Sequence, residues 1–187
     1  MMVDRRVDEA GRVISPESKI LEYKRDLSSP DRVLQAVVAF ANSAGGEVVI
    51  GVADDGEVVG VTDPLAEQER LANLISDSVR PQLVPTIELV PMADRTVLVA
   101  KVWLGQQRPY YLARVGPHRG TYIRIGASNR RASAGMVAEL RRDARGESFD
   151  EMVAGRAKLS DLDTAYLSKV LHRDIDERAL FTLGARR

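Results

Sequence analysis

The chain has 187 residues, 44% apolar and 29% charged, with 27 basic residues balanced by 27 acidic ones and no cysteine. That length favours one main domain with an appendage. No apolar run approaches the roughly 20 residues a membrane helix needs, Met1 to Arg12 lacks the apolar stretch of a signal peptide, and without cysteine there is no disulfide framework, thiolate metal site or Cys nucleophile. A reducing, cytoplasmic setting is the expectation.

In chain order, residues 1–14 read as a polar arm. Ile20 to Lys24 predicts a strand with Leu21 and Tyr23 on one face and Ile20, Glu22 and Lys24 on the other. Ser28-Ser29-Pro30-Asp31 starts a helix, with Ser29 at the N-cap, Pro30 in first position and Asp31 where the helix dipole favours an acid. From there to about Ala44 the helix is apolar over most of its circumference (Val33, Leu34, Val37, Val38, Phe40, Ala41), so it is the expected core helix. Gly45 and Gly46 suit its exit, because glycine tolerates the left-handed backbone. Val48 to Val52 predicts a strand covered on both faces, and Asp55-Gly56 a tight turn that returns Glu57 to Val61 antiparallel.

Leu71, Leu74, Ile75 and Val79 stand at helical spacing within Leu65 to Val79, and Pro81 ends that helix. Thr86 to Pro91 and Thr96 to Leu104 alternate around Ala93-Asp94-Arg95 as a second hairpin. Pro109 to Leu112 starts a short strand, Gly116 to Gly120 is a loop, and Thr121 to Ile125 is a strand that leads into a further loop bearing Arg130 and Arg131. Ser133 to Arg142 predicts a helix with Met136, Val137 and Leu140 inward. Asp163 to His172 predicts a last amphipathic helix. The resulting organisation is an arm (1–14), a main domain (15–142), a linker (143–160) and a C-terminal helix (161–187) that begins a further, truncated module.

Charge is segregated although the totals cancel. Seven acids and no Lys or Arg lie between Glu47 and Glu69; eight bases (Arg95, Lys101, Arg108, Arg114, Arg119, Arg124, Arg130, Arg131) and no acid lie between Arg95 and Ala138. Such segregation can set up a positive field on one face of a neutral molecule. Arginine offers bidentate contacts to phosphate, and the interleaved Tyr110, Tyr111 and Tyr122 offer stacking faces for unpaired bases. The competing reading is an ordinary solvated face with packing tyrosines.

No phosphate-loop or dinucleotide-binding motif is present, and His118 and His172 lack metal-ligand spacing. Glu17, Glu22 and Asp54 are the candidate acidic cluster. Glu22 lies on the strand before the core helix and Asp54 follows the strand after it; if those strands are neighbours their ends bring the carboxylates together, which calls for a hard cation such as Mg²⁺ or Mn²⁺. Lys24, on the face of Glu22, would then contact a phosphate or an attacking water. The plainer alternative is a Glu22–Lys24 ion pair worth roughly 0–1 kcal/mol, with Asp54 merely opening a turn.

Read together, Glu17-x-x-x-Leu21-Glu22-Tyr23-Lys24, Ala39-Phe40-Ala41-Asn42-Ser43-Ala44-Gly45-Gly46, Ile50-Gly51-Val52-Ala53-Asp54-Asp55-Gly56 with Gly60, and Tyr122-Ile123-Arg124-Ile125-Gly126 before a Ser/Ala-led helix resemble the AlbA-like domain of the Schlafen family. The likeness covers about Ser15 to Arg142. It implies an α/β (α+β) fold, a mixed, largely antiparallel sheet with helices packed on it, of a kind described in bacteria as DNA-binding. It also implies a place at the front of longer transcriptional regulators or helicase-related ATPases of a divergent AAA type, with further C-terminal domains.

The expected function is therefore binding of DNA or RNA as part of a transcriptional regulator, through Arg114, Arg119, Arg124, Arg130 and Arg131 with Lys101 and Tyr122. Vertebrate Schlafens use the domain in duplicate to cleave tRNA and rRNA with three acids and a divalent metal; carried over by motif, the ligands are Glu17, Glu22 and Asp54, with Asp55 the rival of the last and Lys24 assisting. An endoribonuclease, which a single copy would build only as a homodimer, is thus the alternative function. A module that only pairs subunits through the last helix is a third.

Overall fold

The computed structural model describes residues 7–146, 163–172 and 174. They fall in two compact units, Met1–Gly146 and Glu147–Arg187. In the first, β1 (Leu21–Lys24) leads through α1 (Pro30–Asn42) to β2 (Gly46–Ile50), followed by α2 (Pro64–Ser78), β3 (Val79–Arg80), β4 (Thr86–Met92) and β5 (Arg95–Val102). Then come β6 (Tyr111–Leu112), a 3-10 turn (Ala113–Val115), α3 (Gly116–Gly120), β7 (Tyr122–Ile125), β8 (Ser128–Arg131) and α4 (Ala134–Arg145). Within the second unit, the described helix α5 (Thr164–Leu171) is capped by the side chain of Asp163, which accepts from Tyr166 N at 2.9 Å. α4 runs past the expected domain end at 142 into the first residues of the expected linker; residues 147–162, 173 and 175–187 lie outside the described residues.

The main sheet has the order β1-β2-β5-β4. β1 and β2 are parallel, joined by α1 as a crossover, and the other pairings are antiparallel. This is the expected mixed, largely antiparallel α+β architecture. Strand alternation sends Val48, Ile50, Leu98, Ala100 and Val102 into the core under α1 and α2, and Val49, Val97 and Val99 into a second cluster on the opposite face with Leu21, Val52 and Met92. α1 is buried nearly all round, from Val33 and Leu34 through Ala36 to Asn42. Ahead of it, Ser28 N donates to Asp26 Oδ1 at 2.8 Å, and hydrogen bonding from Ser28 holds the Asp26 carboxyl below its ordinary pKa.

Glycine is required where α1 gives way to β2. Gly45 has φ +72°, and a Cβ there would lie 2.8 Å from Val102 O. A Cβ on Gly46 would strike the Phe40 ring at 2.7 Å and Ile20 O at 2.8 Å. Helix and strand thus approach more closely than any side chain allows.

Four local expectations change. Gly116–Gly120, expected as a loop, is the short helix α3. The segment after Gly56 makes only the bridge Val52↔Val58 with its predicted partner strand, because Val59 N and Gly60 N both turn onto Gly51 O at 2.9 Å. The residues after Ile125 form a strand rather than a loop, with Tyr122↔Arg131, Ile123↔Arg130 and Arg124↔Asn129 in register. Met136, expected inward, is 38% exposed, while Val137 and Leu140 are buried.

Candidate nucleic-acid interface

The centre of the site is a buried arginine. Alternation along β7 turns Tyr122 and Arg124 toward α1, and Ser43 Oγ, just past the helix end, accepts from Arg124 N at 2.8 Å. The side chain then reaches across to the edge strand β1. Nε and Nη2 donate to Ser18 O at 3.1 and 2.7 Å, Nη2 also to Leu21 O at 2.9 Å, and Nη1 to Asn129 Oδ1 at 2.8 Å and to Glu22 Oε2. Every donor of the guanidinium is engaged, and its plane lies over the Phe40 ring, 5.0 Å from Cζ to the centroid. Arg124 and Glu22 are each 5% exposed. Arg124 therefore pins the β7–β8 hairpin to the sheet and presents no donor to a phosphate, correcting its expected role.

Glu22 takes its remaining partners from the same neighbourhood. Lys24 Nζ donates to Glu22 Oε1 at 2.5 Å and to Tyr23 O at 2.7 Å, and Asn129 Nδ2 approaches Glu22 Oε1 at 3.4 Å. The same ammonium stands 4.0 Å from Glu17 Oε1, which also accepts from Tyr23 N at 2.9 Å. Asp54 lines a groove of about 520 Å³ with Glu17, Asp55 and Tyr23. Tyr23 belongs with the cluster on the sheet face away from α1, whereas alternation points Glu22 toward α1.

Glu17, Glu22 and Asp54 thus do not assemble as a ligand set: both Glu22 oxygens are bound to internal cations, and Lys24 fills the position between Glu17 and Glu22 that a divalent ion would need. Among the described residues no three His, Asp or Glu side chains are grouped to hold a metal. In this arrangement the acids do not fit the expected Mg²⁺ or Mn²⁺.

The expected phosphate contacts divide into two groups. Arg114 pairs with Asp31 at 2.6 Å beside the N-terminal turn of α1, about 18 Å along the helix from Ser43 by its rise per residue. Lys101 pairs with Glu88 at 2.7 Å, and alternation puts it with Val97 and Val99 on the sheet face away from α1. Tyr122 is half-buried against the main core. Arg119, Arg130 and Arg131 instead are exposed and have no ion-pair or hydrogen-bond partner among the described residues. Arg130 and Arg131 stand on β8, and Arg119 precedes Tyr122 at the start of the same hairpin.

Sequence reasoning missed three contributors. Asn42, 3% exposed, donates from Nδ2 to Tyr110 O at 2.8 Å and Tyr122 O at 2.9 Å and accepts from Tyr110 N at 2.7 Å, so one amide holds two distant segments. Its signal was a polar residue ending an otherwise apolar helix. Asn129 bridges the buried ion pair, and nothing in Ser-Asn-Arg-Arg marks it. Lys19 is exposed and unpaired among the described residues; it follows Ser18, whose carbonyl accepts from Arg124.

The fold and this site define a mixed-sheet α+β binding domain in which a long-range Arg–Glu pair seats a basic hairpin. The chain belongs to the Schlafen AlbA_2 family, whose model matches residues 17–133. Among solved structures, it is 30% identical to the N-terminal domain, determined by NMR, of an ATP-dependent DNA helicase RecG-related protein from Nitrosomonas europaea, covering 67% of this chain and 86% of that one with a TM-score of 0.45. It also matches the crystal structure of the DIP2311 protein from Corynebacterium diphtheriae at 20% identity and a TM-score of 0.57, covering 86% of this chain and 34% of that chain. Among the described residues no helix is long and apolar enough to cross a membrane.

Proposed function

We propose that the domain binds nucleic acid through the β7–β8 hairpin and its surroundings, with Arg119, Arg130, Arg131 and Lys19 contacting backbone phosphates, and that it serves as the front module of a transcriptional regulator acting on DNA. The observation that carries this reading is the exposure of these cations without ion-pair or hydrogen-bond partners among the described residues, two of them, Arg130 and Arg131, on a hairpin held by Arg124. A preorganised cationic surface loses little entropy when a polyanion docks, and neutrality of the whole chain does not cancel a local field within a Debye length of about 8–10 Å. Membership of the Schlafen AlbA_2 family supports the same reading.

An electrophoretic mobility titration at low ionic strength tests it. A shift that weakens when Arg119, Arg130, Arg131 and Lys19 are changed together to Ala is the expected result. No shift with either DNA or RNA, or one that the quadruple variant leaves unchanged, would end the proposal.

A further inference from the structure

The C-terminal end of α1 is a junction. Ala41 O accepts from Gly105 N at 2.8 Å, Asn42 holds Tyr110 and Tyr122, and Ser43 holds Arg124. Gly45 lies against the backbone of Trp103 and Leu104, where a Cβ would come 3.5 Å from Trp103 C and 3.3 Å from Leu104 N. The loop that follows β5 and the hairpin that carries Arg130 and Arg131 are therefore anchored to the same stretch, Ala41 to Gly45. That loop is closely fixed at Gly105, where a Cβ would overlap the Tyr110 ring at 2.0 Å.

On this fixed loop the Trp103 side chain is 67% exposed, with Leu104 beside it at 39%. The other described aromatics of the first unit do not offer an open face. Phe40 and Tyr110 are buried, and Tyr23, Tyr111 and Tyr122 are half-buried. An exposed indole on a loop anchored to the same helix end as the hairpin that carries Arg130 and Arg131, which lack ion-pair partners among the described residues, combines the two elements that single strands require, a π surface for a base and cations for the adjoining phosphates.

We propose that Trp103 is a stacking platform for an unpaired base, so that the preferred partner of this face is single-stranded nucleic acid or a segment with unpaired bases. The inference rests on the nucleic-acid reading above and adds the class of ligand. A duplex keeps its base faces stacked on one another, and Trp103 could reach one only after unpairing.

The chain contains one Trp, so its intrinsic emission reports on this position alone. The full chain is titrated with dye-labelled oligothymidine and with a duplex of equal length, following dye anisotropy for binding and tryptophan emission for stacking. The expected results are quenching by the single strand and little by the duplex. Trp103→Ala should weaken single-strand binding by roughly 5- to 150-fold, the span of one base–aromatic contact, while Trp103→Phe retains much of the affinity and duplex binding is unchanged in both variants. The side chain is exposed, so both variants should fold, and the wild-type quenching needs no variant. Anisotropy that reports single-strand binding with unchanged tryptophan emission and no loss in Trp103→Ala would overturn the stacking role and leave the binding face standing. Loss of self-association in Trp103→Ala with no effect on single-strand affinity would reassign the indole to a contact between copies. Absence of binding to either nucleic acid would remove both readings.

Discussion

Arg124 and Glu22, 102 residues apart in the chain, meet as a buried ion pair between the β7–β8 hairpin and the edge strand of the main sheet. Removing one partner strands the other charge in a desolvated site, which typically costs about 3–5 kcal/mol. Glu22→Ala and Arg124→Ala are each expected to lower stability by that order. The double variant Glu22→Ala/Arg124→Ala should lose less than the sum of the single changes, because neither member of the pair is left buried without the other. Denaturant midpoints for the four proteins give the coupling, and additive losses would show that the pair does not act as a unit.

Asn42 has a comparable structural role on the hairpin's other side. Asn42→Ala leaves Tyr110 N, Tyr110 O and Tyr122 O without their side-chain partner, and each buried polar group left unpaired costs about 1–3 kcal/mol. The expected loss is at least about 2 kcal/mol, with faster hydrogen exchange in residues 110–131 than in β2 and β5. Uniform acceleration across the domain, or none, would contradict the local tether.

At Gly45 the backbone itself sets the constraint. Gly45→Ala combines a left-handed φ with a Cβ pressed on Val102 O, and should destabilise by about 1–3 kcal/mol. Thermal unfolding monitored by circular dichroism checks this; an unchanged midpoint would mean that the α1–β2 connection relaxes without penalty.

Much of this was legible in the residues. Ser29-Pro30-Asp31, the apolar circumference of α1 and the Gly45-Gly46 exit are contiguous signals of short-range physics, and they located the central helix and strand. Ala93-Asp94 gave the β4–β5 hairpin, whose two turn residues have φ of +47° and +58°, as a two-residue primed turn requires. The fate of individual charges was not legible. Arg124 and Arg130 look alike in sequence, and only the register Arg124↔Asn129, together with the packing of β7 on α1, buries the first and exposes the second. β8 escaped notice because Ser-Asn-Arg-Arg has low strand propensity; its pairing is secured through Asn129 and Arg124. The acids failed to converge for a similar reason. Glu22 points toward α1 from its strand, while Asp54 opens onto the groove beside Tyr23.

That geometry makes a prediction about metals. Lys24 already neutralises Glu22 and stands near Glu17, so added Mg²⁺ or Mn²⁺ should leave the melting temperature unchanged, since a ligand that binds the native state raises it by mass action. A metal-dependent rise that disappears in Glu22→Gln would show that Lys24 yields its position and would revive the three-carboxylate reading.

The account turns on whether Lys19, Arg119, Arg130 and Arg131 meet a polyanion, and the most direct measurement is the affinity for a labelled oligonucleotide over a series of salt concentrations. Each neutralised phosphate contributes about 0.7–0.9 to the slope of log K against log salt. The wild-type chain should bind with a steep negative slope, and the quadruple Ala variant should flatten it by about 3–4, whereas Arg114→Ala and Lys101→Ala leave it nearly unchanged. A slope untouched by the quadruple variant, or flattened equally by Arg114→Ala and Lys101→Ala, would contradict the assignment of this face.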